Sequence, residues 1–134
     1  MSSEDVCKEL ASRYLVAGKH AESDYFGMIR GLLKLNDKDY PQKDQQISEV
    51  YRLVEDEIRG NEGKPVSDVN FGTSGWRGIL GKDIFIKSVI SVTAAIIKLY
   101  EALEERPDLI AHLGVSSVEE ARKRGCLVGY DNRF

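Results

Sequence analysis

Three glycines fall at every third position in one short stretch, Asn70-Phe71-Gly72-Thr73-Ser74-Gly75-Trp76-Arg77-Gly78. Glycine reaches backbone conformations closed to other residues, so a stretch spaced this way is a turn. An apolar approach through Val66, Val69 and Phe71 predicts a strand over 66–71 leading into it. A glycine-rich turn after a strand exposes consecutive backbone N–H groups, and such groups bind anions. Arg77 adds a planar, permanently charged fork suited to phosphate. The first expectation is therefore a phosphate-handling loop. Its spacing matches neither a Walker P-loop nor a dinucleotide fingerprint.

The residues after the loop set its context. Ile86, Val89, Ile90, Thr93, Ile96, Ile97, Tyr100 and Leu103 predict a long helix over 84–105. Its apolar arc is wide, as in a helix packed on a sheet. Arg106-Pro107 ends it, because the residue before proline is driven out of the helical region. Residues 108–115 read as connection. A short charged helix is predicted over 117–124, capped by Ser116 or Ser117, each with a glutamate three residues on. Cys126 to Tyr130 reads as a buried strand. Strand, loop, helix, helix and strand make one βαβ unit. Two strands are too few for a parallel sheet, whose two faces both need covering. The expectation is an interrupted α/β fold, either the front end of a larger protein or a truncated product of its gene.

The first half differs. Three amphipathic helices are predicted, over 4–17, 24–35 and 44–59. In the third, Ile47, Val50, Tyr51, Val54 and Ile58 make the cleanest stripe, with Gly60 placed as its stop. Ser23 is placed to cap the second. Gly27 and Gly31 lie four apart on that helix and leave room for another helix to approach closely. A turn-rich linker at 60–65 divides a helical extension, 1–64, from a partial α/β domain, 65–134. The extension is expected to dock on that domain, to mediate oligomerisation or to serve a partner.

Other features exclude functions. The net charge of -3 gives no electrostatic case for nucleic acid or an anionic membrane surface. No apolar run reaches 18 residues, and the acidic start lacks a signal-peptide layout. Cys7 and Cys126 are expected to be free thiols in a reducing cytoplasm. His20 and His112 stand alone and read as surface residues. Acidic clusters such as Glu55-Asp56-Glu57 read as solvated helix faces and not as metal sites.

Phe71-Gly72-Thr73-Ser74-Gly75-Trp76-Arg77-Gly78, then a helix, then Val128-Gly129-Tyr130-Asp131-Asn132-Arg133-Phe134, resembles the opening of an α-D-phosphohexomutase. These are the phosphoglucomutase and phosphomannomutase enzymes. The resemblance covers about residues 66–134 and implies part of that family's α/β/α domain I. It implies an intramolecular 1,6 phosphoryl transfer on hexose phosphates, run by a phosphoserine with Mg²⁺ on an Asp-rich loop. The family's serine loop, of the Thr-Ala-Ser-His-Asn-Pro type, and its metal loop are not among these 134 residues. The chain alone is thus expected to be inactive and to hold no metal. Carried over, Thr73, Ser74 and Arg77 would face the active centre, with Arg77 assisting catalysis. Gly72, Gly75 and Gly78 would permit the turn and close backbone approach. Ser74, where glucosamine-phosphate mutases carry Asp, tilts the substrate toward glucose or mannose phosphate. Asp131 and Arg133 are expected either to form a structural ion pair or hydrogen-bond network at the strand's end or to line the cleft. The alternative is a helical interaction or dimerisation module joined to a non-catalytic mutase remnant.

Overall fold

The computed structural model describes residues 3–127 and 129. Among these the chain is mixed α/β and mostly helical, with six α-helices and one two-stranded antiparallel sheet. It divides into two compact units, Met1–Ile90 and Ser91–Phe134.

The first unit is built on α1 (Ser3–Tyr14), α2 (Tyr25–Leu33) and α3 (Lys43–Gly60). The central helix, α2, packs against both others. It buries Tyr25, Met28, Ile29 and Leu32, and α3 contributes Val50 and Val54 to the same core. Tyr40, from the connector before α3, closes it, and Leu10, Tyr14, Ile47 and Ile58 pack around it. The predicted stripe of α3 holds except at Tyr51, which is exposed. Gly27 and Gly31 do what their spacing implies. A Cβ on Gly31 would lie 2.9 Å from Leu10 Cδ2, and one on Gly27 would lie 2.8 Å from Tyr14 Cδ1. Bare backbone on that face of α2 is what lets α1 sit against it.

Details at the helix ends differ from the sequence reading. The cap of α2 is Asp24, whose side chain accepts from the Gly27 N–H at 2.8 Å. Ser23 is buried and instead knots the preceding turn, accepting from the Val16 N–H at 3.0 Å. The helix α1 stops at Tyr14, short of Gly18, because the Tyr14 carbonyl accepts from the Asp24 N–H at 2.7 Å. Gly60 is the last residue of α3, not the position after it.

The expected strand over 66–71 contracts to β1 (Phe71–Gly72), which pairs antiparallel with β2 (Gly75–Trp76). Residues 66 and 67 make no ladder. The Val66 N–H donates to the Lys82 carbonyl and the Ser67 N–H to the Asp83 carboxylate. Their backbone groups are thus satisfied by a loop and not by a neighbouring strand. No parallel strand pair of a βαβ unit forms among the described residues. The buried strand expected over 126–130 does not form where the chain is described: Cys126, Leu127 and Gly129 lie in no strand, and Cys126 and Leu127 are exposed. Val128, Tyr130, Asp131 and Arg133 fall outside the described residues.

The helix predicted over 84–105 appears as α4 (Ile86–Glu101) with a 3₁₀ turn over Ala102–Glu104. Val89, Ile90, Ile96 and Ile97 on it are exposed. In the second unit, α5 (Asp108–His112) occupies the stretch expected to be connection, and α6 (Val118–Arg124) comes after it. Leu103 and Ala121 are buried, and Arg122 pairs with Glu104 at 2.8 Å. Ser117 is the cap of α6, accepting from the Glu120 N–H, while the Glu120 carboxylate reaches back to the Ser116 N–H at 2.7 Å. This is the reciprocal exchange of a capping box, displaced by one residue. Both cysteines are free thiols.

Candidate functional site

The glycine stretch folds back on itself. Gly72 pairs with Gly75, and Thr73-Ser74 form the tip. No non-glycine residue takes a positive φ among the described residues; Gly75 does, at 101°. A two-residue tip with ordinary φ values splays its strands unless the next residue restores the twist, and Gly75 is free to do so. Gly78 has a different task. A Cβ there would lie 2.5 Å from Asp83 Cβ. Gly72 has neither: a Cβ would meet only the Gly75 carbonyl, at an ordinary 3.9 Å. The three glycines, equivalent in the sequence pattern, are separated by the geometry.

The hairpin presents an open pocket of about 190 Å³ lined by Asn70, Gly72, Thr73, Ser74, Gly75 and Arg77. Arg77 Nη2 donates to Ser74 Oγ at 2.5 Å across the tip. The Ser74 oxygen is then occupied as an acceptor, so its own proton is free to point outward. Arg77 keeps further N–H groups of its fork for a ligand. Thr73, Ser74 and Arg77 are therefore brought to one exposed corner by a four-residue turn.

Asp83 fixes the base of this hairpin. It is 2% exposed. Its carboxylate accepts from the Ser67 N–H at 2.8 Å and from the Ile79 N–H at 2.8 Å. Burial alone pushes the carboxyl up, but the N–H groups of Ile79 and Ser67 outweigh it and hold its pKa below the usual aspartate value. This fixes the sign of the pH effect. A depressed carboxyl stabilises the fold above its unfolded pKa, and that contribution is lost as pH falls through the lower folded value. The melting temperature of Asp83→Asn is therefore expected to fall less than that of the wild type between about pH 6 and about pH 3. Parallel losses in the two proteins would contradict the assignment.

A second polar cluster is not legible in the sequence. His20 Nδ1 lies 2.9 Å from Glu57 Oε1 and also meets the Tyr25 hydroxyl. Glu57 is buried on α3, one turn after Val54, and Gly81 at φ 80° packs on its Cβ. Burial, then the Glu57 charge, raises the Tyr25 phenol above its usual pKa. His20 is exposed, as expected, but it does not stand alone: it fastens the turn after α1 to α3. The signal available is the position of Glu57 at i+3 from Val54, on the apolar stripe. His112 is exposed, as expected.

Among the described residues no three His, Cys, Asp or Glu side chains gather to hold a metal ion, and no helix is long and apolar enough to cross a membrane. No family model matches the chain. Neither a curated protein nor a solved structure matches it significantly.

Proposed function

We propose that this chain supplies the phosphate-facing wall of an α-D-phosphohexomutase, with the nucleophilic serine and the Mg²⁺ loop provided by sequence beyond these residues. The observation that carries the reading is the Thr73-Ser74 hairpin, with Arg77 folded over it beside an open pocket of about 190 Å³. Transfer of a phosphoryl group needs positioned donors and positive charge more than covalent chemistry from the protein. The hairpin offers two hydroxyls and a guanidinium, and it places no acid or imidazole in its lining; Gly72 and Gly75 are paired with each other in the ladder. The substrate class is a hexose phosphate, with glucose or mannose as the sugar.

The test uses Trp76, the chain's only tryptophan, which lies in β2 of the hairpin. Glucose 1-phosphate and mannose 1-phosphate are expected to change its fluorescence saturably, and unphosphorylated glucose is not. With glucose 1-phosphate, a sugar bisphosphate and Mg²⁺, the 134 residues are expected to show no mutase turnover. An equal response to glucose would remove the phosphate reading. Turnover by this chain would overturn the placement of the nucleophile elsewhere.

A further inference from the structure

Asp83 lies outside the residues that a loop motif would single out. It comes five positions after the last glycine of the stretch and does not line the hairpin pocket. Yet it touches both ends of the segment that carries the pocket. One carboxylate oxygen takes the Ser67 N–H before the hairpin, and the other takes the Ile79 N–H after it. Gly78 is pressed onto its Cβ. The neighbouring loop is anchored in turn: Asn61 Nδ2 donates to the Gly81 carbonyl at 2.9 Å, and Leu80 packs against the helical core. Thus one buried side chain ties both ends of the hairpin segment, beside the Val66–Lys82 backbone bond, and the loop that carries it is seated on the helices.

We infer that Asp83 is the positioning residue of the anion-binding hairpin, setting the reach of Thr73, Ser74 and Arg77 without touching the ligand. The inference rests on the phosphate reading of the hairpin. Electrostatics and positioning here predict opposite signs. If only charge mattered, removing a carboxylate near an anion site would tighten binding. If Asp83 positions the hairpin, removing it weakens binding despite the lost repulsion. The two oxygens also predict a graded series. Asparagine keeps one acceptor and turns a donor toward the second N–H, and alanine keeps neither.

The experiment titrates inorganic phosphate into the full chain and monitors Trp76 fluorescence, with melting temperatures measured alongside. Asp83→Ala is expected to weaken phosphate binding by about tenfold, and Asp83→Asn by less. Val50→Ala, in the helical core, serves as a destabilised control and is expected to bind phosphate as the wild type does. Below its melting temperature, Asp83→Ala is expected to keep the far-ultraviolet helical signal while Trp76 emission moves to longer wavelength. Unchanged or tighter phosphate binding in both Asp83 variants would overturn the inference, as would an equal loss in Val50→Ala. If Asp83→Ala does not fold, Asp83→Asn decides. If the wild type itself binds no phosphate, the phosphate reading fails instead. The positioning claim is then decided by Trp76 emission and by hydrogen exchange at Ser67 and Ile79, where wild-type values in Asp83→Asn would sink it.

Discussion

Leu32→Ala is expected to lower the stability of the first unit by about 2–5 kcal/mol. Leu32 is fully buried, at 0% exposure, in the last turn of the helix that the other two flank. Its neighbours on α2, Met28 and Ile29, and Val50 and Val54 on α3, belong to the same core. The substitution removes apolar burial and leaves a cavity, and both act in the same direction. Relaxation is limited because α1 already lies against the bare backbone at Gly31 and has no closer approach to make. The small gain in helix propensity from alanine is a few tenths of a kcal/mol and does not offset the loss. At about 4–8 °C per kcal/mol for a domain of this size, the shift in melting temperature is large. Thermal unfolding monitored by Trp76 fluorescence reads it, since Trp76 belongs to this unit. A change of about 1 °C or less would mean that the three helices do not share one core.

Arg77→Ala is expected to weaken phosphate binding by about tenfold to a hundredfold. Hydrogen bonds to charged groups contribute about 1.5–3 kcal/mol, and each 1.4 kcal/mol is a factor of ten. The side chain is exposed, so little stability is at stake and the melting temperature is expected to stay near that of the wild type. Arg77→Lys keeps the charge but loses the planar fork, and its affinity is expected to lie between the two. Calorimetric titration at fixed salt distinguishes them, because exposed charge interactions are screened as salt rises. Equal affinity in wild type and Arg77→Ala would take Arg77 out of the site.

The parts of this structure that arise from repetition are legible in the sequence. The stripe Ile47-Val50-Val54-Ile58 predicts α3 because an apolar face must be buried, and the core buries it. Gly27 and Gly31 predict a close helix contact for the same kind of reason. The site is legible only in its residue types. The charge of Arg77 and the family resemblance single out Thr73, Ser74 and Arg77, and the three line one pocket. The backbone that brings them together is a tight hairpin and not the end of a long strand. An apolar approach through Val66 and Val69 suggests a strand, but backbone partners decide. Those of residues 66 and 67 come from Lys82 and Asp83, some 16 positions away in sequence. Asp83 and Glu57 share one difficulty. Each is a charged residue, a type that is rarely buried unless paired. Each is buried because a specific partner, two N–H groups in one case and His20 in the other, compensates the loss of water. Such pairings depend on the fold; the one local hint is the place of Glu57 beside Val54 on the apolar stripe.

The hairpin as a phosphate site is tested most directly by an amide-resolved NMR titration of the full chain with inorganic phosphate. The predicted result is a set of saturable shifts confined to Gly72, Thr73, Ser74, Gly75 and the Arg77 side-chain N–H, with the helical core unmoved. Shifts scattered over surface lysines and arginines, or none at these hairpin residues, would contradict it.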